Sequence, residues 1–383
     1  MIKVFLDPQT FITQEFGGIS RYFTELCIEF QKDKDMELFL SILYTDNIHY
    51  LESSLFNDTY QQRNAFLIKY SKLFRYYLPR KLKKKSIAYT INLIKKQDYD
   101  LFVPTYYDPY FLPHLGDKPF VLTVHDMIHE LYPQYFEDDL ETVANKKKLI
   151  KEATKIIAVS ENTKKDILRI YPETTPDKIE VVYLAHHFST ASIAPTSLPD
   201  HYLLFVGNRN YYKNFTLFVN AISPLFRLYP DLFLVCAGGN PFDDEELSLL
   251  QELDIYPRVT QQNFKDTELK FYYENARCFV FPSAYEGFGI PILEAMSAGC
   301  PIILTDNSSF PEIAGEAGIY FELNNEIDLR EKVDSIWNSE QMRIKYKQKG
   351  FEQAQKFTWQ RTAKETLNVY KKALELQDAE LHY

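Results

Sequence analysis

Short apolar runs alternate with amphipathic stretches along the whole sequence, and this alternation limits the possible folds more than any other feature. The runs have the length of strands, and the stretches between them have helical periodicity. Such alternation is typical of parallel sheets flanked by helices. In the first half we predict strands at Ile2–Leu6, Leu38–Tyr44, Leu101–Val103, Phe120–Val124, Lys155–Val159 and Glu180–Tyr183. Ser160 is placed to cap a helix that begins at Glu161.

The alternation stops once and then starts again. The interruption, Phe188–Asp200, is rich in Ser, Thr, Ala and Pro, as linkers are. After it we predict strands at Tyr202–Val206, Leu232–Ala237, Cys278–Phe281, Pro301–Leu304 and Ile319–Phe321. The predicted helices there are Asn214–Leu228, Asp266–Asn275, Pro291–Ala298 and Glu326–Asn338.

These patterns predict an α/β chain of two Rossmann-like αβα domains facing each other across a cleft. A chain of 383 residues is long enough for two such cores. We assign 1–190 to an amino-terminal domain, 200–360 to a carboxyl-terminal domain, and 361–383 to a helix that packs back on the first domain. Doubly wound sheets bind ligands at the carboxyl ends of their strands, so we expect the cleft there.

Composition indicates a globular protein without a membrane span. The chain is 45% hydrophobic and 25% charged, and it contains no apolar run of the length that crosses a bilayer. Its start, MIKVFLDPQTF, has the pattern of a first strand rather than of a signal peptide, which predicts a cytoplasmic protein. The net charge of −10 argues against nonspecific nucleic-acid binding. The four cysteines form no CxxC pair, so we predict reduced core residues and no zinc site.

One basic stretch stands out against this acidic background. Between Arg63 and Lys96 there are eleven Lys or Arg residues and no Asp or Glu. Aromatic residues interleave with them: Phe66, Tyr70, Phe74, Tyr76, Tyr77 and Tyr89. The mixture suits peripheral contact with an anionic membrane, at the inner face of the plasma membrane. A solvated helical face is the other interpretation, and the sequence leaves both open.

The segment Pro282–Thr305 carries the most chemical information. It leaves a predicted strand, passes Glu286 in a loop and enters a helix at Pro291, where proline is favourable. Gly287 and Gly289 let the backbone approach a ligand closely. The amides at a helix start attract phosphate, so Glu286 and the later Glu294 are expected to face sugar or ribose hydroxyls instead.

This segment resembles the signature of the retaining glycosyltransferases of family four, PSxYEGFGxPxLEAM. Here the stretch is PSAYEGFGIPILEAM, followed by Gly299 and Pro301. The resemblance implies the GT-B fold and transfer of a hexose or deoxyhexose from a nucleotide-diphosphate sugar. It also implies that Glu286 is a catalytic residue that binds the donor sugar and that Glu294 binds ribose. The donor-binding residues that it implies in this segment are Gly287, Phe288, Gly289, Ile290 and Glu294.

Other segments extend the resemblance to most of the chain. Gly17 and Gly18 match the family's glycine-rich turn, which approaches the donor, and His125 matches its catalytic histidine. Arg209 and Lys213 resemble its basic pair, which neutralises the donor diphosphate, although many relatives carry Arg where this chain has Tyr212. Pro311–Gly315, PEIAG, matches a further family segment.

The departing diphosphate requires a positive partner, and the sequence offers two solutions. Asp98-Tyr99-Asp100 could hold a divalent metal, but acidic residues commonly border a core strand, and we interpret the pair as structural. The basic pair and the helix start can stabilise the anion instead. We therefore expect no metal and no cofactor, and the family resemblance implies front-face attack with retention.

The resemblance also suggests substrates. The context of the glycine turn and of His125 is similar to mannosyl- and rhamnosyltransferases of bacterial surface polysaccharides, lipopolysaccharide and capsule. This favours GDP-mannose or a deoxysugar relative as donor and a saccharide, lipid-linked because of the basic stretch, as acceptor. A sugar-nucleotide epimerase or hydrolase on the same fold, and a catalytically silent nucleotide-sugar-binding partner, are the alternatives.

Overall fold

The computed structural model describes residues 1–57, 78–188, 192–195, 197–209 and 211–381. The chain divides into two compact units. The first comprises Met1–Leu184 and Trp359–Tyr383, and the second comprises Ala185–Thr358. The stretch Phe188–Asp200, predicted as a linker, belongs to the second unit, and its residues 189–191 and 196 lie outside the described residues.

The first unit is built on parallel strands. They are β1 (Ile2–Leu6), β2 (Met36–Leu40), β3 (Leu101–Val103), β4 (Val121–Val124), β5 (Lys155–Ala158) and β6 (Ile179–Val181). Two sheets, β2-β1-β3 and β4-β5-β6, are joined by a parallel bridge between Phe102 and Phe120. β3 to β5 are buried along their whole length, as expected for a sheet covered on both faces.

Helices follow these strands in the first unit. They are α1 (Gln9–Thr13), α2 (Gly18–Phe30), α3 (Ile48–Leu51), α4 (Leu78–Ile94), α5 (Ile128–Leu131), α6 (Leu140–Glu152) and α7 (Glu161–Ile170). The predicted cap at Ser160 is confirmed, because its hydroxyl accepts a hydrogen bond from the amide of Thr163 at 3.0 Å. The core is rich in aromatic rings, and Phe102 and Phe111 lie 4.6 Å apart between centroids.

The second unit contains one six-stranded parallel sheet in the order β12-β11-β10-β7-β8-β9. Its strands are β7 (Tyr202–Val206), β8 (Phe233–Ala237), β9 (Val259–Gln262), β10 (Cys278–Phe281), β11 (Ile302–Thr305) and β12 (Gly318–Phe321). β7 pairs with β8 on one side and with β10 on the other. The strands that follow β7 directly in the chain, β8 and β9, therefore lie on one side of β7. After β9 the chain crosses back, and β10, β11 and β12 lie on the other side.

Seven α-helices accompany this sheet in the described part of the second unit. They are α8 (Phe215–Leu228), α9 (Asp244–Glu252), α10 (Asp266–Asn275), α11 (Ile290–Ser297), α12 (Phe310–Ala314), α13 (Glu326–Asn338) and α14 (Glu340–Ala354). Asp243 caps α9 in a reciprocal arrangement with Glu246. Leu203, Leu234 and Val280 lie in the buried core.

The last helix, α15 (Trp359–Leu381), belongs to the first unit. It packs against α2 and β5. Phe30 of α2 and Tyr370 of α15 lie 5.8 Å apart between ring centroids, and Tyr370 is buried. The Thr362 hydroxyl donates a hydrogen bond to the carbonyl of Tyr183 at 2.8 Å. The chain thus leaves the first unit once and returns to complete it.

Most predicted strands are confirmed, and two differences have clear causes. The strand predicted at Leu38–Tyr44 lies too far along the chain, since the observed strand β2 is Met36–Leu40. β9, with sequence VTQQ, was not predicted because it is an edge strand whose last three residues are only half-buried. The prediction that the four cysteines are free and buried is confirmed for Cys27, Cys236, Cys278 and Cys300.

Candidate functional site

The carboxyl ends of β7 and β10 form the topological switch point of the second sheet. At such a point the loops leave neighbouring strands in opposite directions and open a crevice for a ligand. The loop after β7 carries Arg209 and Lys213, and the loop after β10 carries Glu286. The sheet order thus brings together two segments that the sequence places far apart.

The two loops are joined by direct contacts. The amide of Ala284 donates to the carbonyl of Tyr212 at 2.7 Å, and the Asn214 side chain donates to the carbonyl of Pro282 at 3.0 Å. Between them, the Lys213 ammonium forms an ion pair with the Glu286 carboxylate. The predicted cation and the first predicted carboxylate are therefore direct partners.

The Lys213–Glu286 pair remains accessible to water. The two side chains are 20% and 18% exposed. The ammonium also lies 5.5 Å from the ring centroid of Phe281 and 5.0 Å from that of Tyr212. Water weakens an ion pair that it can reach, so a ligand's charge can compete for either partner.

Hydrogen bonds from the next loop hold the backbone around Glu286. The Ser308 hydroxyl donates to the Glu286 carbonyl at 2.6 Å, and the Ser309 hydroxyl donates to the carbonyls of Glu286 and Phe288 at 3.0 and 2.9 Å. Gly289, with φ +94°, occupies a conformation that favours glycine and precedes α11. Ile290 and Pro291 follow in the first turn of α11, and the amide of Ile292 donates to the carbonyl of Gly289 at 2.9 Å.

Glu294 lies inside α11 and is almost fully buried. Its carboxylate accepts a hydrogen bond from the Tyr273 hydroxyl at 3.0 Å, and its second oxygen lies 3.7 Å from Nδ1 of His186. The carboxylate is therefore oriented by two groups from other segments. Neither partner could be predicted from the sequence, because Tyr273 lies in an ordinary amphipathic helix and His186 precedes the predicted linker.

Arg209 and Lys213 form ion pairs with different carboxylates. Its guanidinium contacts the two carboxylate oxygens of Glu246 at 2.7 and 3.1 Å and donates to the carbonyl of Asn240 at 2.6 Å. The remaining nitrogen, Nη1, is buried and has no hydrogen-bond partner among the described residues. Sequence reasoning missed Glu246, which no motif marks.

In the first unit, His125 follows β4 directly and is 9% exposed. Its ring lies edge-on to Tyr22, with centroids 5.5 Å apart, and Nε2 has no partner among the described residues. Burial lowers the pKa of His125 to about 4, the Asp126 carboxylate opposes this shift, and the Lys146 ammonium adds to it. The imidazole is therefore neutral at pH 7.

Gly17 and Gly18 lie at the start of α2, which also carries Tyr22. Gly17 precedes the helix in an extended conformation, and Gly18 is its first residue. A Cβ atom on Gly17 would approach the Gln14 side chain to 2.6 Å. The approaching atom is the far end of a flexible side chain, which can move aside, so this contact does not by itself require glycine at position 17.

The pair Asp98 and Asp100 lies beside Lys3. Asp98 accepts a hydrogen bond from the Lys3 ammonium at 2.5 Å, and Asp100 accepts one from the Lys3 amide at 2.8 Å. Among the described residues, no group of three or more His, Cys, Asp or Glu side chains could hold a metal ion. The two carboxylates therefore have partners in the strand next to them.

Two family models match the chain in succession. The Glycosyltransferase Family 4 model matches residues 16–185, and the Glycosyl transferases group 1 model matches residues 193–353. The chain is a glycosyltransferase with a family 4 region followed by a group 1 region. Its enzymatic class is therefore that of a glycosyltransferase, and the matched regions contain His125, Lys213, Glu286 and the other predicted site residues.

Relatives of known name agree with this assignment. O-antigen chain mannosyltransferase B of Escherichia coli is 28% identical over 92% of this chain and 96% of its own length. The N-acetylgalactosamine-N,N'-diacetylbacillosaminyl-diphospho-undecaprenol 4-alpha-N-acetylgalactosaminyltransferase of Campylobacter jejuni is 27% identical over 61% of this chain and 65% of its own length.

A solved structure identifies the fold. Sucrose-phosphate synthase from Thermosynechococcus elongatus matches with a TM-score of 0.71 over 98% of this chain and 100% of its own, at 17% sequence identity. The fold is GT-B, with two Rossmann-like domains, as the sequence predicted.

The basic stretch Arg63–Lys96 is described only in part. Residues 63–77 lie outside the described residues, and most of the remainder forms α4. Lys84 and Lys85 of α4 are exposed. None of the helices described for this chain is both long and apolar enough to cross a bilayer.

Proposed function

We propose that this enzyme transfers a hexose or deoxyhexose from a nucleotide-diphosphate sugar to a saccharide on a lipid carrier, in the synthesis of a cell-surface polysaccharide. The observation that carries this proposal is the Lys213–Glu286 ion pair at the switch point of the second sheet. A cation and a carboxylate at one ligand crevice suit a ligand with an anionic diphosphate and a hydroxyl-rich sugar.

Each group has a role in this proposal. When the donor binds, its diphosphate takes the place of Glu286 beside Lys213, and the positive end of the α11 dipole adds to the attraction. Glu286 is then free to accept hydrogen bonds from the donor sugar. Glu294, fixed by Tyr273, accepts hydrogen bonds from ribose. Arg209 has one free guanidinium nitrogen for a phosphate oxygen.

The reaction is proposed to proceed with retention and without a metal. Breaking the bond between the anomeric carbon and the phosphate oxygen leaves negative charge on the diphosphate, which Lys213 stabilises. The acceptor hydroxyl attacks from the same face and gives its proton to the departing phosphate oxygen. The neutral ring of His125 is proposed to support the donor sugar during this step.

The substrates are proposed from the relatives' names. The E. coli relative is an O-antigen mannosyltransferase, which supports GDP-mannose or a related deoxysugar donor. The C. jejuni relative acts on a saccharide linked to diphospho-undecaprenol, which supports a lipid-linked acceptor. The exposed lysines of α4 support peripheral contact with anionic lipid on the cytoplasmic face of the membrane.

The test is a transfer assay on vesicles. Phosphatidylglycerol vesicles carrying an undecaprenyl-diphosphate saccharide are mixed with the enzyme and GDP-mannose, GDP-rhamnose or UDP-glucose, with excess EDTA throughout. We expect glycosylated lipid from one GDP donor, with the donor's anomeric configuration kept in the product by NMR. The enzyme should sediment with these vesicles and should remain in solution with phosphatidylcholine vesicles.

Each part of the proposal has its own contrary result. Consumption of the donor without acceptor, at the same rate as with acceptor, would indicate a hydrolase or epimerase. Activity that appears only when Mn²⁺ replaces EDTA would contradict metal independence. An inverted product would contradict retention, and equal sedimentation with both vesicle types would contradict electrostatic membrane contact.

A further inference from the structure

Lys146 of α6 is a lysine without any exposed side-chain surface. Burying an ammonium is costly unless hydrogen-bonding partners replace its water. Lys146 donates to the Glu130 carboxylate at 3.0 Å and to the carbonyl of Asp126 at 3.1 Å. Its ammonium also lies 3.9 Å from the Asp126 carboxylate. The mechanism proposed above does not use this buried charge.

All of these partners belong to the turn that follows His125. Asp126 is the next residue, its carboxylate accepts a hydrogen bond from the amide of Ile128 at 3.1 Å, and Glu130 lies in the short helix α5. Lys146 therefore contacts this turn at three places, which are the carbonyl of Asp126, the carboxylate of Asp126 and the Glu130 side chain of α5.

Tyr107 holds the other side of the same turn. Its hydroxyl accepts a hydrogen bond from the backbone amide of His125 at 3.0 Å, and its ring centroid lies 5.0 Å from the Lys146 ammonium. The His125 backbone is thus fixed at its amide by Tyr107 and at the next carbonyl by Lys146. This arrangement positions the ring and leaves Nε2 uncommitted.

We propose that Lys146 is a positioning residue for the transfer reaction, which fixes the turn after β4 so that His125 presents Nε2 to the donor sugar. The inference rests on the proposed function of His125. The ionisable groups that face His125 are Tyr22 of α2, Tyr107, Asp126 and Lys146 itself. Of these, Lys146 adds positive charge, which lowers the pKa of His125 and helps to keep the ring neutral.

The experiment compares Lys146→Met with Lys146→Arg. We expect Lys146→Met to lower kcat by ~10- to 100-fold, as a misplaced group does, and to leave the donor KM within about twofold. In ¹⁵N NMR titrations, the pKa of His125 should rise in Lys146→Met, since a positive neighbour is lost, and should stay near the wild-type value in Lys146→Arg. Lys146→Arg should recover part of kcat.

A matched control is available in the same unit. Lys155 is also buried, and its ammonium donates to the carbonyl of Asp177 at 2.5 Å, outside the turn after β4. Lys155→Met should lower stability and leave kcat and the His125 titration unchanged. If Lys146→Met does not fold, Tyr107→Phe removes the acceptor for the His125 amide and should lower kcat with an unchanged donor KM.

The outcomes separate this inference from the proposed function. If His125→Asn lowers kcat and folded Lys146→Met does not, the positioning role is wrong and the role of His125 stands. If His125→Asn itself leaves kcat unchanged, the proposed role of His125 fails first. If both single variants lower kcat, the double variant should lose little more than His125→Asn alone, and an additive loss would overturn the inference.

Discussion

The strand ends that carry the proposed chemistry differ in their electrostatics between the two units. In the second unit, Lys213 and Glu286 form an ion pair whose side chains stay 20% and 18% exposed. In the first unit, His125 is 9% exposed, and the cation behind it, Lys146, is fully buried. A half-buried pair that water can reach can exchange partners with a charged ligand, whereas a fully buried network keeps its partners. The strand end of the second unit is therefore suited to binding a charged ligand, and that of the first unit is suited to keeping the His125 ring neutral and in place.

Removing the half-buried cation Lys213 should give the largest effect. Lys213→Met should lower transfer by ~100-fold or more, because a preorganised positive charge on the departing diphosphate is lost. Lys213→Arg keeps the charge and should lose less. Steady-state turnover with the proposed donor measures both.

The matched control for this variant is Lys349→Met. Lys349 forms a surface pair with Glu316 at 3.2 Å, so the same substitution there removes a Lys–Glu pair away from the switch point. Turnover should stay near wild type. If the Lys213→Met enzyme is as active as this control, Lys213 does not stabilise the departing diphosphate. The proposed difference in function between the two strand ends would then be wrong.

Because the His125 ring is buried, we expect the free energy of unfolding to depend on pH. The folded pKa of His125, about 4, lies below its ordinary 6.5, so the unfolded chain binds a proton first as the pH falls. Stability from this group is therefore present at pH 7 and is lost between about pH 6.5 and 4. From pH 7 to 5, the wild type should lose about 2 kcal/mol more unfolding free energy than His125→Asn.

Urea unfolding at the two pH values measures this difference. The comparison with His125→Asn cancels the titration of all other groups that the substitution leaves in place. Equal losses in the two proteins would mean that the ring is hydrated and that burial does not lower its pKa.

The smallest effect is expected at a hydrogen bond within the second unit. Tyr273→Phe removes the hydroxyl that orients the Glu294 carboxylate and should raise the donor KM about fivefold, which corresponds to about 1 kcal/mol. kcat should change little, because ribose is distant from the breaking bond. A fall in kcat at unchanged KM would instead connect Glu294 with the chemical step.

The sequence predicted the local parts of this site but not its long-range partners. Glu286, Gly289 and Glu294 lie in one continuous segment, so the motif and the strand–loop–helix pattern were sufficient to place them. The Lys213–Glu286 contact was not predicted, because it depends on the sheet order that sets β7 beside β10. The Arg209–Glu246 pair depends in the same way on the pairing of β7 with β8.

Buried polar groups were the hardest to foresee. Lys146 lies in a helix rich in lysine, and nothing in that composition marks the one that is buried. Its burial follows from the turn after β4, which supplies a carbonyl and a carboxylate at the right place. Periodicity reports apolar faces, and it carries no information about which charged side chain finds partners in the interior.

The return of α15 to the first unit has a consequence for biosynthesis. The ribosome releases residues 1–184 first, yet these residues lack the helix that covers Phe30 and contributes the buried Tyr370. The second unit is one uninterrupted segment and can acquire its structure while the first still waits for its final helix. A nascent chain stalled before residue 359 therefore lacks the helix that packs on Phe30, and the apolar surface of the first unit at that place stays uncovered.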